Sequence, residues 1–228
     1  MTDRDQDRST DLLIQEVDED LKREQYAQLW KRHGGWLVGA ALAVIVGVAG
    51  HQGWKSWQTN LRQAEAGRFA QSLELARDGK AVDAAQSLST LARESRTGYQ
   101  AMAALTQARL LAESGNAAGA AAVYEGIAAD QGVDRIYRDL ALIHVAYLTL
   151  DGADPAQLER RIEPLVANSP WRHSALEISA LLAQRRGDIV LVRQIYKRLA
   201  DDGTAPPGMR QRANEMLAAL GAADGTKG

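Results

Sequence analysis

The sequence predicts an all-α protein: a polar leader, one membrane-crossing helix and a solenoid of stacked helical hairpins. Three observations predict it. Alanine dominates the apolar residues: 46% of the chain is hydrophobic, yet aromatics make up only 5%, with one Phe and five prolines. Ala has the highest helix propensity, its small side chain lets helices pack closely, and β-branched runs are scarce. An uncharged run from Gly34 to Gly50 interrupts a charged N-terminal region. Beyond it, glycines break helical stretches at a near-constant spacing, the sign of a repeat architecture.

The leader comes first, residues 1–33. Its opening, "MTDRDQDRST", has no apolar period and is expected to be disordered. Leu13, Val17 and Leu21 then recur every fourth residue with Ile14 beside them, and Tyr26, Leu29 and Trp30 extend the set. This predicts a short amphipathic helix capped at Thr10 or Asp11. The leader holds nine acids and six bases, so it adheres poorly to an anionic leaflet. Docking on a protein and a solvated helix running on into the next segment both remain open.

The second element spans residues 34–57. Its uncharged core of 17 residues is just under the usual length of a spanning helix, so a buried core helix is a real alternative. The flanks favour the membrane. Trp36 stands at one end, Trp54 and Trp57 at the other, where amphipathic rings suit the headgroup zone. A helix from Trp36 to Trp57 advances about 31 Å, close to the hydrocarbon thickness of about 30 Å. Lys31, Arg32 and Lys55 can snorkel. "GVAG" offers a peptidase site, but a signal peptide has a shorter charged leader than this one. Basic residues near the run number four on the N-terminal side and three on the C-terminal side, a weak bias that leaves the leader in the cytoplasm and exports the rest. Gly35, Gly39, Ala43 and Gly47 form one stripe of small residues, on which two helices can dock closely in lipid. Abundant Gly and Ala also explain such a stripe without function.

Residues 58–220 are the hairpins. Gly79, Gly115, Gly152 and Gly187 lie 36, 37 and 35 residues apart, in "RDGK", "ESGN", "LDGA" and "RRGD". Each is expected to close a helix in the left-handed conformation. Ala84 and Ala120 follow five residues after two of these glycines. Leu88, Tyr124 and Tyr196 follow nine after three of them: the small residue admits the partner helix and the large one fills the groove. The third unit departs, because Arg161 takes the large apolar position while Leu158 and Ile162 fall one place later, as a one-residue insertion near "DGADP" would cause. The expected helices cover 55–78, 81–94, 98–114, 117–130, 134–150, 155–167, 170–186, 188–202 and 208–220, with a loose tail over 221–228.

This spacing and these Gly, Ala and Tyr positions resemble degenerate tetratricopeptide repeats (TPRs). Together with "IQEVDEDLKREQYAQLWKRHGGWLVGAALAVIVGVAGHQGWKSWQ", the layout resembles a family of bacterial single-span inner-membrane proteins related to the ancillary SecYEG translocon subunit (YfgM-type). The resemblance implies a periplasmic C-terminal domain that binds proteins near the translocon, alongside a membrane-anchored periplasmic chaperone of the peptidyl-prolyl isomerase type.

Several function classes find no support. The net charge of −2 argues against nucleic-acid binding. Without cysteine there is no disulfide, thiolate metal site, Cys nucleophile or lipoprotein anchor. His33, His51, His144 and His173 lack acids at metal-ligand spacing. His173 and Glu177 read as an i,i+4 surface pair, and Tyr124, Tyr137, Tyr147 and Tyr196 as core. "ERRIEP" and "AQRRGD" read as solvated faces, with a rim for an acidic partner as the sharper alternative. No catalytic residue and no cofactor are expected. The reading is an interaction protein. A self-associating scaffold (hence a homo-oligomer) and a regulatory subunit of an inner-membrane complex are the alternatives.

Overall fold

The computed structural model describes residues 3–95 and 97–225, with side chains described from Lys31 to Gly221 apart from positions 33, 34, 37, 41 and 96. The described residues form α1 (Asp3–Arg77), α2 (Ala81–Glu94), α3 (Tyr99–Glu113), α4 (Ala117–Ala129), α5 (Arg135–Thr149), α6 (Pro155–Asn168), α7 (Arg172–Arg185), α8 (Ile189–Asp201) and α9 (Pro207–Gly225). Two compact units divide the chain, Met1–Leu61 and Arg62–Gly228, and the division falls inside α1.

The first unit is helical from Asp3 onward, so the disorder expected over residues 1–10 is corrected for residues 3–10. No proline interrupts the chain before Pro155. The apolar face expected on residues 13–30 lies outside the described side chains. Trp36, Val44, Ile45, Val46, Val48, Trp54 and Trp57 are all exposed. The Trp54 and Trp57 rings sit 5.3 Å apart. A Cβ added at Gly35, Gly39 or Gly47 would meet nothing within 4 Å, and Ala43 is exposed, so the stripe is bare. Among the described residues no helix is long and apolar enough to cross a membrane. The span expected over 34–57 includes Gly34, Leu37 and Ala41, whose side chains are outside that set.

The second unit is a helical-repeat solenoid. The C-terminal turns of α1 pair with α2, α3 with α4, α5 with α6 and α7 with α8, and α9 ends the stack. Each pair has an A helix followed by a B helix. Three of the four A-to-B turns share one geometry. Gly79, Gly115 and Gly187 have φ of 78°, 84° and 76°. Each donates its N–H three residues back, to the carbonyls of Ala76, Ala112 and Gln184, while the next amide donates to Leu75, Leu111 and Ala183. These are the two bonds of a Schellman cap, which needs a left-handed residue that glycine occupies without strain.

The third turn is different. Gly152 is not in the left-handed region, which corrects the expectation of a fourth such cap. α5 stops at Thr149, and one extra residue follows Gly152 before α6 starts at Pro155. Asp154 accepts a hydrogen bond from the Gln157 amide at 2.8 Å, and Pro155 takes the first helical position, where a missing N–H costs nothing. Asn116 and Asp188 cap α4 and α8 in the same way, through Gly119 and Leu191.

Counted from its own first residue, every B helix buries its fourth, eighth and eleventh side chains. These are Ala84, Leu88 and Leu91; Ala120, Tyr124 and Ile127; Leu158, Ile162 and Leu165; and Val192, Tyr196 and Leu199. That i, i+4, i+7 stripe is the core face of an amphipathic helix. Seven residues before the turn glycines, Ser72, Ala108, Val145 and Ala180 are fully buried on the A helices. Ser and Ala at three of these positions let the helix pairs close. The α9 helix packs Met209 and Ala213 onto the last pair. It runs to Gly225, so residues 221–225 of the tail expected over 221–228 are helical; Arg193 donates to the Leu220 carbonyl at 3.0 Å and holds that end.

Candidate functional site

The ends of three of the four B helices are tied to their own A helices. In the first pair, the hydroxyls of Ser95 (2.7 Å) and Thr97 donate to Glu65, a buried carboxylate. In the third, Ser169 donates to Asp139 at 2.8 Å. In the fourth the polarity reverses: Asp202 is the cap and His173 the helix residue, 2.9 Å apart. The partners stand 30, 30 and 29 residues apart. The i,i+4 pairing of His173 with Glu177 is therefore corrected. Glu177 instead takes the Tyr147 hydroxyl at 3.1 Å and Arg212 at 3.0 and 3.1 Å, joining α5, α7 and α9.

A His–Asp pair invites a catalytic reading, and the geometry opposes it. The Thr204 hydroxyl approaches the same ring nitrogen, Nε2, that faces Asp202. A nucleophile–base–acid relay uses the two ring nitrogens separately. Thr204 also donates its hydroxyl and its amide to Asp202. These bonds, followed by that of His173, hold the Asp202 carboxyl well below the usual carboxylate range. The cluster is a polar latch on a helix end.

The tyrosines divide. Tyr124 and Tyr196 are core, whereas Tyr147 is 39% exposed, which corrects its placement in a hairpin core. Burial, then the Glu177 charge, raises the Tyr147 phenol far above its ordinary value. His144 stacks on Tyr124 with ring centroids 4.7 Å apart, and burial lowers its pKa. It is a packed side chain. Among the described residues no group of three His, Asp or Glu is placed to hold a metal ion.

The surface with binding character lies between successive B helices. Between α6 and α8, over α7, an open cleft of about 760 Å³ has a floor that includes Val166, Leu176, Leu191 and Ile195. Glu159, Arg160, Glu163 and Arg198 form its rim. Ligand-sized clefts run to about 300–1,000 Å³, mostly apolar with a few polar groups. The corresponding cleft over α2, α3 and α4 is only about 190 Å³. Between α4 and α6, Arg161 forms a bidentate pair with Glu125 at 2.8 and 2.7 Å. The "ERRIEP" and "AQRRGD" arginines are thus largely internal ties: Arg161 to Glu125, Arg186 to Glu159, and Arg185 to the Leu150 and Ala153 carbonyls.

A family model for the tetratricopeptide repeat-like domain matches residues 27–198, three quarters of the chain. The chain belongs to this family. No curated protein matches it. The TPR-like domain is a protein-interaction scaffold, and its stacked hairpins expose an extended surface of the kind such proteins use for binding.

Sequence reasoning located the turn glycines and the core, but missed the cleft and the latches. One signal was available: a Ser or Asp at each B-helix end, with a polar residue about thirty positions earlier.

Proposed function

We propose that this chain is a membrane-anchored TPR-like interaction module of the bacterial inner membrane. Residues 34–57 span the bilayer, the leader stays in the cytoplasm and the hairpins face the periplasm. There the hairpins serve as an ancillary factor of the Sec translocon, assisting export or periplasmic chaperoning of client proteins beside a membrane-anchored chaperone. One observation carries the reading: a single family match takes in both the apolar helical stretch and the hairpins. The stretch supports it further, because its Val, Ile, Leu and Trp side chains among the described residues are exposed rather than covered by protein, and a helix apolar all round needs an apolar surrounding.

The test is protease added to intact spheroplasts that carry a C-terminal tag. Loss of the tag with survival of the leader is the expected result, followed by crosslinking to the translocon and chaperones. Protection of the tag until the membrane is opened would remove the export reading. The bare stripe of Gly35, Gly39, Ala43 and Gly47 favours a second reading, a self-associating scaffold. Particle size in mild detergent, with and without residues 1–57, separates the two.

A further inference from the structure

The cleft over α7 has a counterpart one repeat earlier, and the comparison says what fills it. Two positions face each other across successive B helices: the ninth residue of the first and the seventh of the second. From α4 to α6 these are Glu125 and Arg161, which clasp each other and bridge the groove. From α6 to α8 they are Glu163 and Ile195. The acid is retained, the arginine is replaced by an apolar side chain, and the groove is open at about 760 Å³. Glu163 makes no ion pair or hydrogen bond among the described residues. Pro164 deepens the asymmetry. It has no N–H, so the Arg160 carbonyl, one turn back on the same rim, loses its helical donor. The rim thus holds a carboxylate and a carbonyl with acceptor capacity, beside an apolar floor. The neighbouring Glu159 is neutralised by Arg186.

We propose that the α6–α8 cleft binds a polypeptide segment that presents an apolar side chain to Ile195 and Leu191 and a basic side chain to Glu163. The bound cation takes the place that Arg161 fills in the preceding groove. An arginine suits the site best, since its planar fork matches a carboxylate in two hydrogen bonds. Arg198 and Arg160, also without ion pairs among the described residues, favour an acidic residue at the segment's other end. This deepens the protein-interaction reading and does not depend on the membrane anchor or on the translocon.

The experiment uses the full chain in mild detergent and fluorescein-labelled, alanine-based helical peptides. Each carries a leucine pair one turn apart and, on the next turn, arginine, glutamine or glutamate. Fluorescence anisotropy is expected to rank arginine above glutamine and glutamine above glutamate, with the first step about tenfold. Glu163→Gln, a rim change that leaves the core intact, erases the preference for arginine. Ile195→Arg rebuilds the clasp of the earlier groove and removes binding, while Glu125→Gln leaves peptide affinity unchanged. Circular dichroism of each variant checks that the helices persist. Equal affinity for the arginine and glutamate peptides overturns the proposal, as does an arginine preference that survives Glu163→Gln. So does an absence of arginine-peptide binding up to about 1 mM. None of these outcomes bears on the spheroplast result, so the two readings fail separately.

Discussion

The third hairpin and the other three solve one packing problem with different turns. Three hairpins turn through a left-handed glycine with two Schellman bonds. The third turns through five residues, with Asp154 and Pro155 starting the new helix. Their cores are nevertheless equivalent: Leu158, Ile162 and Leu165 fill the positions of Leu88, Tyr124 and their counterparts. The register of a B helix is therefore set from its own first turn, by the cap and the burial stripe. The glycine only has to let the chain turn.

The largest effect tests whether the cores are equivalent. Ile162→Ala and Leu88→Ala each remove a fully buried side chain and should each cost about 2–5 kcal/mol. Chemical denaturation of the full chain measures both, and a third hairpin that loses much less would break the equivalence.

The glycines should separate in sign. A Cβ at Gly115 meets nothing, yet its φ of 84° strains any other residue, so Gly115→Ala should cost about 1–2 kcal/mol. Gly152 has the same open space and no positive φ. Gly152→Ala should thus be neutral or stabilise by up to about 1 kcal/mol, by narrowing the unfolded ensemble. Equal losses at both sites would show that the third turn is left-handed after all.

A smaller effect concerns the caps. Asp154→Ala should cost about 1 kcal/mol. Lys80 has nearly the backbone of Asn116, φ −89° against −86°, but no capping bond; Lys80→Asp should gain about 0.5 kcal/mol or more. Thermal melts read both.

The smallest effect is confined to acid. Asp202 has a lowered folded pKa. Its contribution is therefore present above the unfolded carboxylate value of about 3.9 and is lost as pH falls below it. Asp202→Asn should flatten the acid limb of the stability–pH profile.

Much of this was legible in the sequence. Helix ends from α2 to α8 lie within two residues of those expected, because glycine, proline, Asn and Asp act on the backbone beside them. The alanines and large residues of the B helices were legible for the same reason, as a period within one helix. Failures of two kinds remain. Residues 3–10 and 221–225 are helical although they lack an apolar period, since continuity with a neighbouring helix extends a segment past its own propensity. His173 and Glu177 were assigned to each other and Tyr147 to a hairpin core, whereas their partners lie about thirty residues away.

The sequence by itself determined the helices, their turns and which face of each is apolar. These follow from forces that act over a few residues: backbone sterics at glycine, capping at Asn and Asp, and a 3.6-residue period. Only the tertiary structure decided which charges meet. An arginine on α6 reaches Glu125 because stacking sets one repeat against the next, and a histidine on α7 reaches Asp202 because the hairpin folds α8 back along α7. Coulomb and hydrogen-bond energies depend on distance in space, and that distance exists only once the hairpins have packed.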